Sequence, residues 1–178
     1  MSARKLVYTA LFAALTAAGA FLKIPLGGSS ITLQFLFTAM AGVLLGAGGG
    51  ALSQAVYVAL GLLGLPIFTA GGGFGYVLQP TFGFLLGLIP SALIIGLLTK
   101  KSRKPVRIVL SCVAGLAALY AVGLPYMALI LNVYMDMGLD FWAVLKSGML
   151  PFLPGDALKI AVAAMLFPKL SVLFDKKR

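Results

Sequence analysis

Apolar residues run along this chain in long blocks that charge rarely interrupts, and block length rather than any alternation sets the expected structure. A bilayer-spanning helix needs roughly 20 mostly apolar residues. The pattern predicts a first helix over about Leu6 to Leu22, followed by a loop at Lys23–Ser30. A second helix is expected from about Ile31 to Leu45 and a third from about Gly50 to Leu65. The run that holds these two is too long for one span, and the uncharged Gly46–Gly50 suits a tight turn between them. A loop from Pro66 to Gln79 precedes a fourth helix over about Pro80 to Leu98. The basic segment Lys100–Arg107 leads into a fifth from about Ile108 to Leu131. A polar loop from Asn132 to Ser147 and a sixth helix from about Met149 to Leu170 complete the expectation. The fold expected is therefore an all-α integral membrane protein, one six-helix membrane domain over residues 1–178.

Composition agrees. The chain is 61% hydrophobic and 10% charged, with a mean hydropathy of +1.09, whereas soluble domains carry about a quarter charged residues. No cleavable signal peptide is expected, because the apolar run to Leu22 is long and Lys23–Ile24–Pro25 is not a small-residue cleavage site. Cys112 stands alone within an apolar run, which excludes a disulfide framework.

Charge placement gives an orientation. With the N-terminus inside, cytoplasmic segments hold Arg4, Lys5, Lys100, Lys101, Arg103, Lys104, Arg107, Lys169, Lys176, Lys177 and Arg178. The outer loops hold only Lys23 and Lys146, with Asp136 and Asp140. This asymmetry follows the positive-inside rule and places both termini in the cytoplasm of a multi-pass membrane protein. The formal charge of +10 is thereby assigned to anionic lipid at the bilayer surface and not to nucleic acid.

Catalytic chemistry is hard to build from these residues. Without histidine there is no Ser–His–Asp or Cys–His system and no His-based zinc site. Asp156 is the only acid within a predicted span, so paired-carboxylate chemistry has no partner. Neither Gly46–Gly50 nor Gly71–Gly75 continues into Gly-Lys-Ser/Thr, so there is no P-loop. Neither an enzyme nor a resident cofactor is expected, and any ATP-driven step must be supplied by another chain.

The polar residues that remain gather at the outer end. In Pro151-Phe-Leu-Pro-Gly-Asp-Ala-Leu-Lys159, Asp156 falls in the first helical turn, where the helix dipole favours an anion. Lys159, three residues on, shares its face and forms a net-neutral pair. Charges inside a span are costly and usually face a cavity or partner. The plainer reading is a helix cap with the lysine reaching outward. The loop Gly64–Phe84 brings glycines, the flat side chains of Phe68, Phe74 and Tyr76, and the neutral hydrogen-bonding groups of Thr69, Gln79 and Thr81. Such glycines and aromatics are also ordinary at a membrane interface. Gln34 lies just inside the second helix, where an amide wants a partner. Three polar groups on one face suggest an outward-facing ligand pocket with a lid. In the first helix Ala10, Ala14 and Ala18 recur at four-residue spacing, which suits either internal packing or docking of a partner helix.

These segments carry a family resemblance. Ile24-Pro-Leu with Ile31-Thr-Leu-Gln34, Gly61-Leu-Leu-Gly-Leu-Pro-Ile-Phe68, Pro80-Thr-Phe-Gly83 and Pro151–Lys159 resemble, in order, the BioY family of biotin-specific S components of energy-coupling factor (ECF) transporters. One departure is Gln79-Pro-Thr-Phe-Gly-Phe84, where the family more often reads Gly-Pro-Thr-Gly-Gly-Tyr. The resemblance implies biotin capture from outside for ATP-driven uptake, with a transmembrane coupling protein and two ATPases as partners. It implies that Asp156 and Lys159 contact ligand and that Ala10, Ala14 and Ala18 dock the partner. On biotin's chemistry, Asp156 accepts ureido N–H, Lys159 donates to the ureido oxygen, and Phe68, Phe74 and Tyr76 enclose the apolar part. Gln34, Thr69 and glycine-loop N–H groups are candidates for the tail carboxylate, with Lys23 adding attraction. The alternatives are an S component for another vitamin, or a membrane assembly protein that binds no ligand.

Overall fold

The computed structural model describes residues 3–26, 29–102 and 104–175. Arg103, Lys176, Lys177 and Arg178, assigned above to the cytoplasmic side, lie outside the described residues, as do Gly27 and Gly28. The architecture is all-α with apolar spans. Helix α1 covers Ala3–Phe21, α2 Gln34–Leu62, α3 Phe82–Thr99, α4 Pro105–Leu129, α5 Phe141–Gly148 and α6 Leu153–Asp175. Among the described residues α2, α3 and Pro105–Tyr134 are each long and apolar enough to cross a membrane. Phe141–Gly148 and Leu153–Leu170, bent by 47° at their junction, meet the same condition together.

Helix α2 is not one span. Its 29 residues would extend about 43 Å if straight, yet the Gln34 amide donates to the Tyr57 hydroxyl at 2.8 Å. Thr38 likewise donates to the Gln54 carbonyl oxygen at 3.0 Å. Such contacts require the chain to fold back. It does so at Gly46, where φ is 77° and ψ 178°, a conformation open to glycine and strained for other residues. The two limbs, 34–45 and 47–62, pack so closely that a Cβ on Gly50 would lie 2.9 Å from the Cα of Gly42. All six expected helices therefore have a counterpart, and the uncharged glycine run is the turn between the second and third.

The differences lie in the connections. The loop expected at Lys23–Ser30 holds an antiparallel hairpin, β1 (Lys23–Leu26) and β2 (Ser29–Thr32), with Lys23 opposite Thr32. Pro25 sits within this isolated two-stranded element, where no further strand needs its missing N–H. The polar loop expected over Asn132–Ser147 contains the end of a π-helical turn, Ile130–Tyr134, and then α5. Asp140 caps α5 by accepting from the Ala143 N–H at 2.7 Å, supplying a start signal that composition alone hides.

Helices α1, α2, α3 and α4 pack in sequence, and α6 closes against α2 and α4. The core is aromatic and aliphatic, with Phe12, Tyr57, Ile95, Ile108 and Phe167 fully buried. A neutral polar network crosses it. The Gln54 side-chain N–H groups donate to Thr16 (3.2 Å) and Ser53 (3.0 Å), while its oxygen accepts from Thr38. Every polar group of this amide has a partner, so its burial is tolerated. Helix α1 packs through Thr9, Phe12, Ala13, Thr16, Gly19 and Ala20, leaving Ala10, Ala14 and Ala18 exposed on one face.

Candidate functional site

The C-terminal ends of α1 and α3 mark opposite ends of the molecule. Gly19 lies against Leu33 and Gln34, whereas Gly96 lies against Ala47 in the turn of α2. The hairpin, the starts of α2, α3 and α6, and the 63–81 segment share the first end; the basic α3–α4 connection and the described chain ends share the second. A cavity opens at the first end. Among its lining residues are Gln34, Thr69, Tyr76, Thr81, Asp156 and Lys159, each expected from the sequence.

The start of α6 positions the charged pair. Asp156 and Lys159 are 4% and 8% exposed, and the lysine Nζ lies 2.7 Å from Asp156 Oδ1. One helical turn brings them onto a common face. Ile31 of β2 packs where a Cβ on Gly155 would otherwise stand, so the hairpin lies directly against this turn. The second carboxylate oxygen, Oδ2, accepts from the Tyr120 hydroxyl at 2.6 Å. Tyr120 comes from α4, its ring edge-on to Phe84 at 6.1 Å. Phe84 in turn fills the space that a side chain on Gly123 would take. The carboxylate is thus gripped from two helices while its remaining lone pairs stay free to accept.

Neutral groups make up the rest of the polar lining. The Thr32 hydroxyl donates to the Gln34 side-chain oxygen at 3.0 Å, and Gln34 donates onward to Tyr57, whose hydroxyl donates to the Ile67 carbonyl at 3.1 Å. Thr69 and Tyr76 share a hydrogen bond of 3.0 Å. Outside the cavity the Lys23 ammonium donates to the Thr69 carbonyl at 2.9 Å and ties the hairpin to this segment.

Three expected contacts are placed elsewhere. Phe68 is fully buried behind the lining, its ring pressed onto Gly61 and 4.6 Å from that of Tyr76. Phe74 is 77% exposed, and Gln79 is exposed as well. None of the three lines the cavity. The glycines at 71–73 serve the fold of their own segment: the Gly71 N–H donates to Phe68 O, the Gly73 N–H to Gly61 O, and both residues have positive φ. Aromatic enclosure comes from the expected Tyr76 together with Phe35, Phe84, Tyr120 and Phe152, with Leu116, Leu119 and Met127 beside them. Tyr120 was legible in principle, because a tyrosine inside an apolar span needs a hydrogen-bond partner and Asp156 is the one acid in a span to offer it.

Fold and site together define an α-helical membrane protein with a cavity at one end, apolar-walled and carrying one fixed ion pair. The chain belongs to the BioY family, whose model matches residues 1–176. It is 42% identical to a probable biotin transporter BioY of Lysinibacillus sphaericus, over 99% of this chain and 91% of that one. It is 37% identical to the biotin transporter BioY of Thermotoga maritima, over 96% and 97%. Its fold matches the crystal structure of an S component for biotin from an ECF-type ABC transporter, with a TM-score of 0.81, 27% identity, and 96% and 94% of the two chains covered.

Proposed function

We propose that this protein is the biotin-capturing S component of an ECF-type uptake transporter in a prokaryotic cell membrane, forming one six-helix domain. The observation that carries the reading is the buried Asp156–Lys159 pair, held by Tyr120 on the wall of an otherwise apolar cavity. A cyclic urea presents N–H donors beside a carbonyl acceptor. Asp156 accepts from the N–H groups and Lys159 donates to the carbonyl, so each charge gains a bond and neither loses its partner. The aromatic and leucine side chains enclose the thioether ring and the aliphatic tail, which contribute roughly 25 cal/mol for each Å² of apolar surface removed from water.

Orientation follows from charge. The end that carries Lys100, Lys101, Lys104 and Arg107 faces the cytoplasm and anionic lipid, so the cavity opens outward. Release into the cell then requires partner subunits. The exposed Ala10, Ala14 and Ala18 face of α1 lets a helix of a transmembrane coupling protein approach closely, and two ATPase subunits supply the energy.

The test is thermal unfolding of the ligand-stripped protein in detergent, with biotin titrated beside a panel of other vitamins. A ligand that binds the native state raises its stability by mass action. Selective stabilisation by biotin, lost in Asp156→Asn, is expected. A rise with a different vitamin alone would keep the S-component reading and discard biotin, and no rise with any compound on folded protein would discard ligand capture.

A further inference from the structure

Among the described residues Lys159 is the one cation that lines the cavity, and its charge is already matched by Asp156 at 2.7 Å. The remaining polar lining comes from different elements, and Thr32, Gln34, Thr69, Tyr76 and Thr81 are all neutral. The amide of Gln34 keeps one N–H free after donating to Tyr57. The Thr69 and Tyr76 hydroxyls share a single hydrogen bond, so one of their two hydrogens remains uncommitted. Each of these groups is both donor and acceptor. Within the glycine segment, the Gly71 and Gly73 N–H groups serve Phe68 O and Gly61 O. Lys23 lies outside the lining and is bonded to the Thr69 carbonyl.

A site that selects a carboxylate does so with a cation or converging N–H donors, and a neutral amide then leaves a buried charge without its partner. Among the described residues the lining has no spare cation to strand. Its hydroxyls and its amide can bond the two oxygens of a carboxylate or the oxygen and NH₂ of a carboxamide. Resting on the biotin-binding reading above, we propose that the cavity reads the bicyclic ureido end of its ligand and not the charge of the acyl tail. Neutral carboxamides of biotin are therefore ligands of the same class as biotin.

Isothermal titration of the ligand-stripped, detergent-solubilised protein with biotin and with its primary amide tests this. The two dissociation constants are expected to agree within about tenfold, with the same ratio in Lys23→Ala, because a wall of neutral groups discriminates weakly. A loss of more than tenfold for the amide, with biotin bound normally, overturns the inference and leaves biotin capture standing. A penalty that disappears in Lys23→Ala would likewise overturn it, by assigning tail recognition to that ammonium. If neither compound binds, the underlying reading falls and this inference falls with it.

Discussion

Asp156→Asn separates what the charged pair does for the fold from what it does for the ligand. The substitution keeps the shape of the side chain and removes its charge. Lys159 can still donate to the amide oxygen, but the nitrogen that replaces one carboxylate oxygen can only donate, so the bond with Tyr120 is reversed and loses its charge assistance. The equivalent of one charge-assisted hydrogen bond is lost, about 1.5–3 kcal/mol. A lysine only 8% exposed is also left without a counter-charge. Melting temperature should therefore fall in the absence of ligand. Biotin affinity should fall by at least about tenfold, because a ureido N–H meets a neutral acceptor where it had a carboxylate. The informative companion is the double variant Asp156→Leu with Lys159→Met. Apolar replacement of a whole buried pair is often neutral or stabilising, whereas removal of one member is not. The double variant is expected to melt near the parent temperature and to bind no biotin. Parental affinity in either variant, measured by isothermal titration, would refute the assignment. A double variant that melts as low as the single one would show that the pair holds the fold.

Tyr120→Phe should leave the helices intact and weaken biotin binding by about tenfold, since Asp156 Oδ2 loses its donor and turns toward Lys159 or the ligand; an unchanged dissociation constant would reject Tyr120 as a positioning residue. Gly96→Ala should lower the melting temperature, by a cost of about 1–3 kcal/mol, because its Cβ would stand 2.3 Å from the backbone nitrogen of Ala47 and push α3 off the α2 turn. A rise in stability would mean that this contact relaxes easily. Ala14→Trp should preserve biotin binding and abolish co-purification with a coupling protein, because the residue is exposed on α1 and a bulky ring keeps a second helix away. Retained assembly would move the docking face elsewhere.

Helix number was legible because length and hydrophobicity decide it, and the turn at Gly46 was legible because a continuous apolar run cannot be longer than a bilayer is thick. Asp156, Lys159 and Gln34 were legible for a related reason: polar atoms inside an apolar segment need partners, and few were available; Thr69 and Thr81 were read from the composition of their glycine-rich loop. The hairpin at Lys23–Thr32 and helix α5 were not. Both are short, and α5 depends on a single cap at Asp140 whose geometry the composition of a polar loop does not reveal. The aromatic wall was harder still. Phe68 and Phe74 lie six residues apart on one loop, yet packing on Gly61 buries one and leaves the other exposed, a distinction set by tertiary contacts. Phe84 resembles any other apolar-span residue until α3 and α4 are brought together.

The fold-back in α2 has a further consequence for the membrane around it. Limbs of 34–45 and 47–62 rise only about 18 and 24 Å, against a hydrocarbon layer of about 30 Å. The uncharged turn thus stops short of the headgroups that a full-length span would reach. The peptide groups at Gly46–Gly49 need water, so the bilayer should thin or admit water beside them, at a cost of fractions of a kcal/mol for each Å of mismatch. Helices α3 and α4, of 18 and 25 residues, rise about 27 and 37 Å, so the lipid annulus is uneven in thickness. Such an annulus biases the tilt of the whole helical body and gives bilayer thickness a direct hold on how the protein stands in its membrane.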